Sequence, residues 1–237
     1  MLSAVIAGLI TGVVVTLLEM VTTMPLIAQA EVYEESGQKL EAIGAAAAQP
    51  IIQTHNHGAG PWEPKAGFER IFYTGVTTIL VAMGYAMFLG ACLSQIRSAS
   101  WQAGLALGAA GYLVFQLAPA LGLPPEPPGS AYVDLATRKL WWMGTAIATA
   151  LTLAAWVYAW MYSKFIWIAV GIGLIALPHI IGAPTLTSVA GKAAIVPHEL
   201  SQRFALAALF AAAVFWLVLG GVQGFVFEKL SQRQVVS

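Results

Sequence analysis

The stretch Phe204–Phe227 reads FALAALFAAAVFWLVLGGVQGFVF, twenty-four residues without one charged side chain. A bilayer core about 30 Å thick needs roughly 20 predominantly apolar residues for one helical crossing. This segment is therefore long enough to span a membrane and too apolar to coat a protein in water. Working outward, the same window finds further stretches at Ala4–Ile27, Ile71–Leu93, Trp101–Leu121, Leu140–Met161 and Phe165–Ile181. The last of these is short, and only Ser163 and Lys164 part it from its predecessor, so a count of five is the alternative to six. The runs are continuous and rich in Leu, Ala, Gly and Ile, whereas a membrane β-barrel needs short segments of alternating polarity. The expected fold class is all-α: a polytopic membrane helix bundle with about six transmembrane helices.

Composition agrees. The 237 residues are 59% hydrophobic and 9% charged, while a water-facing surface needs roughly 25–35% charged residues. Lipid must be the main solvent, and the chain reads as one integral membrane domain, 1–237, with a long polar loop at 28–70 inside it. Ala28-Gln29-Ala30 has the small-x-small form of a leader cleavage site. The segment before it lacks a basic start and is too long for a leader core, so a retained helix is expected. The single cysteine, Cys92, falls inside the second span and is assigned to packing.

The connection after the first span opens with Glu31, Tyr33, Glu34, Glu35, Lys39 and Glu41, at spacings that suit a continuing helix in water. Pro and Gly then punctuate it from Pro50 to Gly67, as in a loop of defined turns. The other sizeable connections are Gly122–Lys139 and Gly182–Arg203. With six crossings, all three are odd-numbered and share one side of the membrane. That side carries, on it or at its edge, all four histidines, His55, His57, His179 and His198. It also carries Glu31, Glu34, Glu35, Glu41, Glu63, Glu69, Glu126, Asp134 and Glu199. The opposite side sets Arg97, Lys164, Lys229 and Arg233 against Glu228 alone. Dense basic charge in the short connections places both termini in the cytoplasm.

Glu19 is the one carboxylate well inside an expected span. A centrally placed charge costs about 2.5–3.5 kcal/mol on insertion scales, so such a group faces the bundle or a wet cavity. Gly8, Gly12, Thr16, Glu19 and Thr23 recur at three- and four-residue steps, which turns small residues, hydroxyls and this carboxylate inward. His55-Asn56-His57 offers two imidazoles suited to Co, Ni, Cu or Zn, with Glu31, Glu34, Glu63 or a partner as sources of further donors. His179 after Pro178, and His198-Glu199 after Pro197, return to the same membrane side. The candidate metal ligands are thus Glu19, His55, His57, His179, His198 and Glu199. Trp141, Trp142, Trp156, Trp160 and Tyr162 bracket the fourth span as an aromatic belt would. Gly104, Gly108, Gly111, Gly220, Gly221 and Gly224 suit close helix packing.

No catalytic apparatus is legible. Gly191-Lys192 lacks the other positions of a phosphate loop, and there is no His-Glu-x-x-His helix or Gly-x-Ser-x-Gly elbow. An enzyme is not expected, nor a tightly bound cofactor, nor a nucleic-acid partner.

Several strings, in order, resemble the CbtA family of bacterial cobalt transporter subunits over nearly the whole chain. They are Leu26–Glu34, the His-bearing loop into Glu69-Arg70, Gly122–Gly129 with Asp134-Leu135 and Trp141-Trp142, Pro178-His179 with Gly182-Ala183-Pro184, and Val196-Pro197 with Phe215-Trp216. The resemblance implies a bacterial inner-membrane protein of several spans, often five, that takes up cobalt(II) as cargo for cobalamin biosynthesis. It also implies a small one-helix, His-bearing CbtB-like subunit as partner. The alternative function is a non-transporting scaffold or assembly subunit, for which the glycine faces would matter more than Glu19.

Overall fold

The computed structural model describes residues 1–48, 64–65, 67–97, 99–130, 134–184 and 196–236. Among these it holds helices and no strand: α1 (Leu2–Val21), α2 (Thr23–Ala48), α3 (Phe68–Ser94), α4 (Trp101–Ala120), α5 (Leu135–Tyr162), α6 (Ile166–Ile181) and α7 (His198–Val236). Five of them, α1, α3, α4, α5 and α7, are long and apolar enough to cross a membrane. The sixth stretch, α6, has 16 residues, a rise of about 24 Å against a core of about 30 Å. By length the count is five. Even so, α6 runs back along α5: Tyr158 meets Trp167 at one end of the hairpin and Trp141 meets His179 at the other.

Two prolines reshape helices that hydropathy reads as uninterrupted. The expected Ala4–Ile27 helix stops at Val21, and Thr22 sits at φ −110°, ψ −70° before α2 begins. Pro25 has no N–H for the Val21 carbonyl, and its ring crowds that oxygen. In α4 the segment Leu113–Leu117 is a π-helical turn. It lies against Pro119, which cannot donate to the carbonyl of Phe115.

Helix packing is set by glycine. Gly8 and Gly12 of α1 lie on Met83 and Ile79 of α3, and Gly75 of α3 lies on Thr16, so the two helices run antiparallel. Gly104 and Gly108 of α4 lie on Gly220 and on the backbone of Trp216 in α7, Gly104 also reaches Gly224, and Gly111 lies on the Trp216 ring. Buried Ala4, Ala7, Ala82, Ala86, Leu89, Trp216 and Leu219 join the pairs into a four-helix body. Phe115, inside the π turn, stacks on Trp216 with ring centroids 5.5 Å apart and on Trp142 of α5 at 6.3 Å. The α5–α6 hairpin meets the body through this turn and the Pro119 end of α4. Within the hairpin, Thr152 donates to the Gly171 carbonyl at 3.0 Å, and the indoles of Trp141 and Trp156 donate to the carbonyls of Pro178 and Ile168. Those two tryptophans therefore clamp the hairpin, while Trp160 is 85% exposed as a belt residue would be.

The odd connections do meet on one side, the acidic face. Arg70 at the start of α3 pairs with Glu31 of α2 at 2.7 Å. Gly129, at φ +76°, passes against Glu34 and Val196, and Gly122 lies against Trp141 and Ala183.

A Cβ at Gly104 would strike the Gly220 carbonyl and the Gly224 Cα, whereas one at Gly144 meets nothing within 4 Å. Gly104→Ala should lose about 1–3 kcal/mol by overpacking, and Gly144→Ala should stay within about 0.5 kcal/mol. Thermal unfolding in detergent reads the difference, and equal midpoints would contradict the packing.

Candidate metal-entry face

On α1 the buried side chains and glycines are Ser3, Ala4, Ala7, Gly8, Thr11, Gly12, Val15 and Thr16. At 100° per residue Glu19 falls between Gly8 and Gly12 on that arc. It is half-buried. Because α1 ends at Val21, Glu19 occupies its last turn, at the end of the helix on the acidic face, rather than well inside a span as the longer expected helix placed it. Its backbone carbonyl accepts from Thr22 N at 3.3 Å and Thr23 Oγ1 at 3.5 Å. Its carboxylate has no hydrogen-bond or ion-pair partner among the described residues. A half-buried acid in the last turn of a spanning helix, with no cation beside it among the described residues, leaves a charge that a cation from solution can meet.

The other candidates occupy the same face at separate places. His179 lies in the last turn of α6 with its ring edge-on to Trp141, centroids 5.8 Å apart. Its Nε2 is buried and has no hydrogen-bond partner among the described residues. His198 and Glu199 begin α7 and are exposed. Glu199 lines a groove of about 390 Å³ with Gln29, Val32 and Tyr33 of α2 and with Pro197, Leu200 and Arg203. Beneath it, Leu26 and Ala30 pack on Val196 and Leu200 and hold α2 against α7. Adjacent residues in a helix diverge by about 100°, so His198 and Glu199 face different ways. His55 and His57 lie outside the described residues. Among the described residues, no three His, Cys, Asp or Glu come close enough together to hold a metal. Of the acids that could supplement the His55/His57 pair, Glu31 is engaged by Arg70, and Glu63 also lies outside the described residues.

The Pro-rich connection contributes an ion pair that sequence spacing does not announce, Arg138 to Glu126 at 3.3 Å. Burial pushes the Glu126 carboxyl above its ordinary range, and the Arg138 guanidinium opposes that without overcoming it. A raised folded-state pKa stabilises the fold at low pH, and that contribution is lost as pH rises from about 4.5 through the folded value. The wild type should therefore lose thermal stability relative to Glu126→Gln between pH 4 and pH 7. The two proteins should differ by no more than about 1 kcal/mol, as for an exposed pair. A constant gap between their melting temperatures across that interval would refute the assignment.

No curated protein and no solved structure matches the chain. A family model does, over residues 1–228, and it is described as a probable cobalt transporter subunit (CbtA). With five membrane-length apolar helices, the glycine-packed body and a match over nearly its whole length, this multi-pass membrane protein belongs to the CbtA family.

Proposed function

We propose that the chain is the membrane-spanning subunit of an importer whose cargo is cobalt(II), working in the bacterial inner membrane to supply cobalamin biosynthesis. A one-helix, His-bearing CbtB-like protein is its partner. The family match supports the cobalt assignment. The observation that carries the mechanism is Glu19, a half-buried carboxylate on the inward arc of α1 with no partner among the described residues. The acids of the odd connections raise the local concentration of divalent cations. Imidazoles from His55 and His57, or from the partner, take the ion from water, and Glu19 accepts it at the rim. Imidazole with carboxylate suits cobalt, nickel and zinc alike, so selectivity must come from geometry. Such a role asks for no catalytic group and no resident cofactor. His179, His198 and Glu199 are auxiliary ligands on the same face.

The assembly-subunit alternative rested on the glycine faces. Gly104, Gly108, Gly220 and Gly224 are covered by their own chain, which favours the transport reading.

Uptake of radioactive cobalt into cells expressing the chain, alone and with the small partner, tests the proposal with nickel and zinc as competitors. Glu19→Gln, and His55→Ala with His57→Ala, should each lower uptake by at least about tenfold, the loss of a charge-assisted contact of about 1.5–3 kcal/mol. Undiminished uptake in both variants would overturn the path.

A further inference from the structure

We propose a second binding station for the cargo, formed by Ser3 and Gln223 with Thr11 between them and Glu19, on the inner side of α1 away from the acidic face. It rests on the transport reading. Its ligand is a divalent cation that keeps part of its hydration shell.

Gln223 is the lone amide in the apolar run of α7, and it is 1% exposed. Its Nε2 donates to Ser3 Oγ at 3.2 Å, while its Oε1 is buried with no partner among the described residues. On α3, Gly90 makes room for this side chain, since a Cβ there would stand 2.7 Å from Nε2. Thr11 is fully buried and its Oγ1 is likewise unpartnered. The other buried α1 threonine behaves differently: Thr16 donates to the Gly12 carbonyl at 2.7 Å. Thr145, Thr149 and Thr152 in α5 also bond the carbonyl one turn back. Buried polar groups are nearly always satisfied, and inside a membrane no bulk water can meet the need. The Gln223 oxygen beside Ser3 and the Thr11 hydroxyl about 12 Å further along α1 are two separate unmet groups, and each calls for a ligand on the inner side of that helix.

Their order along α1 gives the ligand a route. Ser3, Thr11 and Glu19 follow at intervals of eight residues, about 12 Å of rise each, so the row covers about 24 Å of a core about 30 Å thick. All three fall on the buried arc. The row ends near a groove of about 570 Å³ at the opposite face, lined in part by Ser94, Arg97, Phe227, Glu228 and Gln232. Phe227 lies one turn beyond Gln223. An acid at the entrance captures the ion, and a neutral amide and hydroxyls beyond it hold the ion too weakly to trap it, which conduction requires. Oxygen donors without charge suit an ion that still carries water. Choice among metals then belongs to the imidazoles and Glu19 at the rim.

Two measurements test the station. In a Cys92→Ser background, Thr11→Cys should react with a small water-soluble methanethiosulfonate cation at least about tenfold faster than Val13→Cys on the lipid-facing side, a difference equal to about 1.4 kcal/mol of barrier. In the same cells, Gln223→Leu combined with Ser3→Ala should keep or raise the melting temperature, because the pair removes the unmet oxygen without leaving the Ser3 hydroxyl buried alone. It should lower the maximal rate of cobalt uptake by at least about tenfold, with the half-saturating concentration within about twofold of wild type. A purely structural glutamine would instead lose stability on substitution. Full uptake in the double variant, with Glu19→Gln inactive, leaves transport standing and overturns the station. A wild type without uptake but with a reactive Thr11→Cys removes the transport reading and keeps a wet route, whereas an unreactive Thr11→Cys overturns the route itself.

Discussion

Helices dissolved in lipid gain nothing by hiding apolar surface from one another, so they hold together only where their backbones come close. Everything else in this protein depends on that constraint. Gly104 and Gly108 against Gly220, Gly224 and Trp216 bring α4 onto α7, and Gly8 and Gly12 bring α1 onto α3. The approach is so close that no side chain fits between. Larger residues then gather where the backbones diverge: Trp216 is 1% exposed and carries the stacked ring of Phe115. Rigid pairs of this kind can hold an unsatisfied amide or hydroxyl in place, because neighbouring helices are not free to close over it.

The same packing separates two kinds of polar residue. Threonines in α5 fold their hydroxyls back onto their own helix and disappear electrostatically. On α1 and α7 the oxygens of Thr11 and Gln223 are instead buried with no partner among the described residues, and Glu19 stands half-buried in the last turn of α1. A chain with few charges thus concentrates its chemistry on one helix arc. The acidic connections gather around that arc's entrance through the Arg70–Glu31 pair and the Gly129 turn.

Much of this was legible beforehand. Long apolar runs found every spanning helix, and the parity of connections brought the described parts of the odd connections to one side, with Glu31, Glu34, His179 and His198 on it. The inward turn of α1 followed from the spacing of Gly8, Gly12 and Thr16. What escaped was local or distant. A window average dilutes one proline, so the break before Pro25 and the π turn before Pro119 were invisible to hydropathy, and the break puts Glu19 in the last turn of α1 rather than well inside a longer span. Likewise α7 extends past Phe227 to Val236, because a charged helix leaving the bilayer carries no apolar signal. The pairing of Ser3 with Gln223 joins residues at opposite ends of the chain, and no spacing rule reaches that far. His55 and His57 lie in a segment outside the described residues, so their part in the site rests on sequence alone.

The brevity of α6 bears on the bilayer itself. Ile166, Ile172, Ile180 and Ile181 are all exposed, so a helix of about 24 Å presents an apolar flank beside α5, whose 28 residues rise about 42 Å. The acyl chains along that flank must compress, or α6 must sit to one side of the midplane, at a cost of a fraction of a kcal/mol for each ångström of mismatch. The four-helix body imposes no such demand. Strain from a thickness mismatch on the short α6 therefore falls on the hairpin, and a thinner bilayer along that flank relieves it.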